Sequence, residues 1–266
     1  MPIKLIALDI DGTIMDKRFQ ISDRVKKTIL RAINSGIYVV IATGRMYSAT
    51  VPIAAGLGIV TPLITYQGSM VKEFYEKDDI LLHYDVSPDL SKKILDELRK
   101  FDVQINLYLD DELFIEDESA ILAEYAAKRN IIYHKINSFD NILDLKPTKI
   151  LAMIKDAEKA TEVKDYLKDK YSDTLYITKS TPFYVEIVNK EASKGKAIRF
   201  LANKWCIDRS EIMAVGDQDN DIEMLEVAGF PVAMGNSTEG LKNIAKYVTD
   251  TVDNDGAALA IEKYAL

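Results

Sequence analysis

The chain holds 266 residues, 48% of them hydrophobic and 29% charged, with a formal net charge of −8. That length allows one large domain or a core carrying an inserted module, and either buries a real core. An acidic balance without a Lys/Arg block excludes a nucleic-acid partner, no apolar run reaches the ~18 residues of a membrane span, and the opening "MPIKLIALDI" lacks an export signal, so a cytoplasmic protein is expected.

In chain order, "KLIALDI" reads as a strand buried on both faces that ends in two carboxylates. A helix follows over "ISDRVKKTILRAINSG", with Ser22 as N-cap, Val25, Ile29 and Ile33 near helical period, and Gly36 as the stop. "IYVVIATGR" is a second buried strand, and a short helix through "MYSATVPIAAGLG" leads to a third strand, "PLITYQG". This order predicts a parallel sheet with right-handed crossovers. From about residue 84 to 188 the texture changes. Strand-like stretches ("VQINLYL", "ELFIED", "TKILAMIK", "TLYITKS", "FYVEIV") mix with two charged amphipathic helices, "SPDLSKKILDELRKF" and "AEKATEVKDYLKDKY", which reads as an inserted α+β module. The last third returns to alternation, with "EIMAVGD", "FPVAMG" and "YVTD" as strands and "NDIEMLEVAG", "TEGLKNIAK" and "DGAALAIEKYA" as helices. The expected architecture is therefore α/β: a doubly wound, Rossmann-like core over 1–84 and 189–266, with an α+β insertion at 85–188. Cys206, the one cysteine, has no disulfide partner and is expected to be an inert, buried thiol. His83 and His134 lack a second ligand at helical spacing, which argues against zinc.

The chemistry begins at the end of the first strand. Period two places Asp9 and Asp11 on one side, close enough to repel unless a cation or a shared proton intervenes. "GDQDND" adds Asp217, Asp219 and Asp221 after another buried strand, and the carboxyl ends of parallel strands share one edge where ligands bind. All-oxygen ligands favour a hard ion, for which Mg2+ is the economical choice. "ATGR" ends the second strand, so Thr43 can offer a hydroxyl and Gly44 an unobstructed N–H to a phosphate on that edge. Lys194, near a helix start in "KEASKGKAIRFLANKW", offers a point charge to offset carboxylates and a phosphoryl group. An isolated Asp after a strand is usually a turn residue or a helix cap. The joint occurrence of these four motifs is what points to a site.

The set "DIDGT", "ATGR", "SKGKA" and "GDQDND", in that order, resembles the haloacid dehalogenase superfamily of phosphohydrolases, and more narrowly its Cof-type branch, whose cap is inserted between the second and third motifs. "STPFYVEIVNKEASKG" and the ending "AIEKYAL" look like that branch's sugar phosphatases. The resemblance implies a phosphatase with Asp9 as the nucleophile that becomes an aspartyl phosphate and Asp11 as the acid and base. It implies Mg2+ held by Asp9, the Asp11 carbonyl and Asp217, with Asp221 ordering its waters or Lys194. It also implies a phosphoryl cradle of the Ile10 N–H, Thr43, Gly44, Lys194 and Asn220, and "GTIMDKRFQIS" as a flap. Close relatives usually carry Asn-Gly after the third strand where this chain has Gln67, so Gln67 stands as a site-edge candidate against plain turn structure.

A cap over such a polar edge would provide closure and specificity together. Tyr108, Phe114, Phe183, Tyr184 and Glu186 are candidates to touch a substrate, although aromatics mostly supply buried area. The implied partner is a small phosphorylated metabolite, a sugar phosphate foremost, acted on by a monomer or weak homodimer. A phosphomutase of the same superfamily is the nearest rival, and a phospho-receiver of a signalling pathway is a distant one. A dinucleotide-binding domain is disfavoured because no G-x-G-x-x-G follows the first strand.

Overall fold

The computed structural model describes residues 2–142 and 144–266. Its strands in chain order are β1 (Leu5–Leu8), β2 (Tyr38–Ile41), β3 (Leu63–Thr65), β4 (Met70–Lys72), β5 (Ile80–His83), β6 (Gln104–Leu109), β7 (Glu112–Ile115), β8 (Tyr133–Lys135), β9 (Lys149–Met153), β10 (Leu175–Thr181), β11 (Tyr184–Asn189), β12 (Ile212–Gly216), β13 (Phe230–Ala233) and β14 (Tyr247–Val248). The helices are α1 (Asp23–Asn34), α2 (Tyr47–Gly56), α3 (Pro88–Leu98), α4 (Ala120–Arg129), α5 (Ala157–Tyr171), α6 (Lys194–Lys204), α7 (Ile222–Val227), α8 (Glu239–Ile244) and α9 (Gly256–Tyr264).

Strands from both ends of the chain form one parallel sheet in the order β14-β13-β12-β1-β2. Because side chains alternate across a strand, Ile6 and Leu8 enter one apolar layer and Leu5 and Ala7 the other. α1 packs beside α9, and α6 packs beside α7. Burial on both faces is why β1 reads as an unbroken apolar run, each buried Leu or Ile contributing ~1.5–3 kcal/mol. Ser22 caps α1 as its sequence predicts, accepting from Val25 N at 3.1 Å.

The third core strand departs from expectation. β3 touches the parallel sheet through a single bridge, Ala42 to Ile64, and pairs instead in an antiparallel β3-β4-β5 sheet. The chain then enters a six-stranded sheet, β10-β11-β9-β6-β7-β8, with its own apolar layer against α3 and α5. Three features of this six-stranded unit escape sequence reasoning: α4, β8 and the parallel pairing of β7 with β8. α4 is short and weakly amphipathic, ending on Asn130 in the left-handed region. Cys206 is a correction: it is exposed, at a positive φ of 55° just past α6, rather than buried. Among the described residues, no helix is long and apolar enough to cross a membrane.

Candidate active site

Asp9, Thr43 and Asp217 each follow the last residues of a parallel strand, β1, β2 and β12, which are neighbours in the sheet. The sheet edge therefore brings together groups more than 200 residues apart in sequence, at the place where open parallel sheets bind ligands. Lys194 is the first residue of α6, which Ser193 caps by accepting from Lys196 N at 3.0 Å. Asp221 ends a short 3-10 turn that leads into α7.

At the centre lies a buried charge cluster. Lys194 Nζ donates to Asp9 Oδ1 and to Asp221 Oδ1, both at 2.6 Å, and Lys194 is only 1% exposed. Asp221 Oδ2 accepts from the N–H groups of Asp217 at 2.9 Å and Gln218 at 3.2 Å. Asp217 is fixed by Thr13 Oγ1 at 3.2 Å and Gln218 Nε2 at 3.0 Å. Gly12 makes that approach feasible, since a Cβ there would collide with the Asp217 carboxylate. Asp9, Asp217 and Asp221 each bring one oxygen within 4.8 Å of the others.

Three carboxylates against one ammonium leave excess negative charge in a buried space. Burial pushes Asp9 upward, and the neighbouring Asp221 and Asp217 charges add to it against the pull of Lys194. Burial and then Asp221 push Asp217 up to about 7. Burial would lower Lys194, but Asp221 and Asp9 override it and hold its ammonium protonated. An all-oxygen donor set with unbalanced charge fits a hard divalent cation.

Around this cluster sit the remaining expected residues. Thr43 is buried, and its Oγ1 accepts from Arg45 N at 3.2 Å. Ile10 is fully buried, and its carbonyl accepts from Thr13, Ile14 and Met15, closing the turn that presents Asp11. Asn220 Nδ2 donates to Gln67 Oε1 at 3.0 Å, so Gln67 lies inside the site, buried at a positive φ of 59°, and not in a solvent turn. Its amide nitrogen lies over the Cα of Gly44, where a Cβ would collide with it.

Sequence reasoning missed Arg45, the last letter of "ATGR". Its guanidinium forks the Asp11 carboxylate, Nε to Oδ2 at 2.8 Å and Nη2 to Oδ1 at 2.6 Å. Burial alone would raise Asp11, but the Arg45 hydrogen bonds and charge hold it below the usual carboxylate range.

The six-stranded sheet and α4 close the cavity from above. Asp9, Asp11, Gly44 and Asn220 face Tyr125, Arg129, Lys149, Tyr184 and Glu186 across it. Of the five substrate-contact candidates in the insertion, Tyr184 and Glu186 line this cavity. Tyr108 is buried behind it with its hydroxyl 2.8 Å from that of Tyr125, Phe114 packs on His134, and Phe183 is exposed outside. Lys149 is the second omission, and a lone cation inside "TKILAMI" was the available signal. Its Nζ donates to the Gly44 carbonyl at 2.6 Å and to Glu186 Oε2 at 3.0 Å. Asp111, in the β6–β7 turn, docks on the start of α2, accepting from Tyr47 N and Ser48 N at 2.9 Å and from Tyr66 Oη at 2.5 Å.

Residues 6–261 match the family model of haloacid dehalogenase-like hydrolases. A candidate phosphatase of Streptococcus pyogenes is 32% identical over 276 residues, with all of both chains covered. The 5-amino-6-(5-phospho-D-ribitylamino)uracil phosphatase YitU of Bacillus subtilis is 30% identical over 265 residues, covering 98% of this chain and 97% of its own. Among solved structures, a haloacid dehalogenase-like hydrolase from Bacteroides thetaiotaomicron superposes with a TM-score of 0.85 at 29% identity, covering 98% of this chain and 99% of that one.

Proposed function

The chain belongs to the haloacid dehalogenase-like hydrolase family, and from that premise we propose that it is a Mg2+-dependent phosphatase of small metabolites, sugar and polyol phosphates foremost, acting through an aspartyl phosphate. The reading rests above all on one observation: Asp9, Asp217 and Asp221 converge with Lys194, and Asp9 opens onto the cavity that Thr43, Gly44 and Asn220 also line.

In this reading Asp9 Oδ attacks phosphorus and the ester P–O bond breaks, and Asp11, which must first loosen its Arg45 pairing and take up a proton from solvent as substrate binds, gives that proton to the departing alkoxide. Water then attacks the aspartyl phosphate, Asp11 takes its proton, and cleavage of the P–O bond to Asp9 frees inorganic phosphate. Asp11 is ionised and paired with Arg45 here, which is the form that accepts a proton in the second half-reaction. The Ile10 N–H, Thr43, Gly44, Lys194 and Asn220 position the phosphoryl oxygens, and Lys194 keeps Asp9 oriented for attack. Asp9, the Asp11 carbonyl and Asp217 would hold Mg2+, with Asp221 behind them. The ion supplies charge neutralisation for the phosphoryl group and the clustered carboxylates.

We assign residues 85–188 as a cap that selects the leaving group, and 1–84 with 189–266 as the catalytic core. The polar cavity wall from the cap supports a hydroxylated leaving group, and so does the name of the 30% identical relative, whose substrate carries its phosphate on a ribityl chain. The test is a panel of phosphorylated metabolites with Mg2+, scored by inorganic phosphate over many turnovers. Release limited to about one equivalent per enzyme would instead favour a mutase, and release unaffected by excess EDTA would remove the metal from the scheme.

A further inference from the structure

We propose that Glu186 Oε1 is the acceptor that reads a hydroxyl of the substrate's leaving group, so that the enzyme selects polyol and sugar phosphates over phosphate esters of plain alcohols. This inference rests on the phosphatase reading above and deepens it.

Glu186 lies on β11 opposite Leu151 of β9, on the same face of the sheet as Tyr184 and Lys149, and that face looks onto the core. Glu186 is 3% exposed as a residue, and a buried charge persists only when paired. Lys149 provides the pairing, but for one oxygen alone. Its ammonium contacts Oε2 at 3.0 Å, the Gly44 carbonyl at 2.6 Å and the Tyr108 ring at 4.6 Å, which occupies its three N–H directions. Among the described residues no donor reaches Oε1. That oxygen sits above the phosphate loop, 3.2 Å from where a Cβ of Gly44 would stand, in the cavity that holds Asp9 and Asp11.

An ionised carboxylate oxygen accepts and cannot donate. A phosphoryl oxygen is therefore the wrong partner for Oε1, since two anionic acceptors repel. The partner must bring an N–H or O–H, and the adjacent Lys149 ammonium and Arg129 guanidinium disfavour a second cation there. A neutral hydroxyl, a few bonds from an ester oxygen held near Asp9 and Asp11, meets each condition. A site built to bond a hydroxyl rejects the analogue that lacks it, because the bound alkyl group covers the cavity-facing acceptor and leaves it without a partner.

The experiment compares kcat/KM for glycerol 1-phosphate and ribose 5-phosphate with that for propyl phosphate, in the intact enzyme with Mg2+. The hydroxylated esters are expected to exceed propyl phosphate by about 30-fold or more. In the paired variant Lys149→Met with Glu186→Leu, which removes both charges together, the ratio should fall to within about threefold of unity. Glu186→Leu alone serves if the pair does not fold: Lys149 keeps the Gly44 carbonyl at 2.6 Å, the cavity loses the hydroxyl's partner, and the ratio should drop by about tenfold. A wild-type ratio near one overturns the proposal, and so does a preference that survives in a folded variant. If wild type releases phosphate from none of the three esters, the phosphatase reading itself falls and takes this one with it.

Discussion

Arg45 grips both carboxylate oxygens of Asp11, at 2.8 and 2.6 Å, from the last position of the loop that also supplies Thr43 and Gly44. In the proposed mechanism one loop thus serves the phosphoryl group and sets the charge of the acid-base residue. Removing the guanidinium leaves burial as the main influence on Asp11, which raises its pKa. Arg45→Met should therefore lower kcat by about 10- to 100-fold and bring a new acid limb into the kcat profile above pH ~4, where Asp11 must be ionised to act as base. Superimposable profiles for the variant and wild type would detach Arg45 from the proton transfers.

Asp9→Asn removes the proposed nucleophile and, at the same time, one of three crowded carboxylates. Turnover should fall by about a thousandfold or more, since an amide does not form the covalent intermediate. Without added metal, the variant should melt no lower than wild type, because Lys194 keeps Asp221 as its partner at 2.6 Å. A metal-free melting temperature several degrees below wild type, or phosphate release at the wild-type rate, would each count against the assignment.

The core and its catalytic edge were legible because local and global signals coincide there. The apolar run of Leu5–Leu8 can only be a strand covered on both faces, and a parallel sheet must put Asp9, Thr43 and Asp217 on one edge. The insertion was less legible for a physical reason. Its cavity residues are chosen by tertiary pairing, so Lys149 reads from sequence as a stray charge in a strand until Glu186 arrives from 37 residues away. Arg129 and Tyr125 lie on α4, a helix too weakly amphipathic to announce itself. Cys206 misled because the thiol's general tendency to burial carries no information on its place, a left-handed, exposed position just past the end of α6.

Asp111 couples the insertion to the start of α2, just past the Thr43–Arg45 loop. Met46 precedes α2 without a capping side chain, and Asp111 supplies the cap from a different sheet while also accepting from Tyr66 Oη. Asp111→Ala should destabilise the fold by about 1–2 kcal/mol, the usual effect of losing an N-cap. It should also raise KM more than it lowers kcat, because Asp111 holds the insertion over the cavity and touches no reacting group. Urea unfolding and steady-state kinetics test the two halves separately, and a variant that lost kcat alone would contradict the positioning role.

The charge cluster gives the metal-free protein an unusual pH response. Asp217 is pushed from an ordinary value of 3.8 up to about 7, and a carboxyl whose folded pKa is raised binds its proton more tightly in the fold than in the unfolded chain. That contribution to stability is fully present below pH ~4 and is lost as pH rises through about 7. A divalent ion needs the same carboxylates ionised, so it competes with the proton and replaces its stabilising effect as pH rises. The rise in melting temperature on adding millimolar Mg2+ should therefore be small at pH 5.5 and several degrees larger at pH 8. Asp217→Asn should flatten this dependence, and a Mg2+ effect that shrank with rising pH would mean that the three carboxylates do not share an ion.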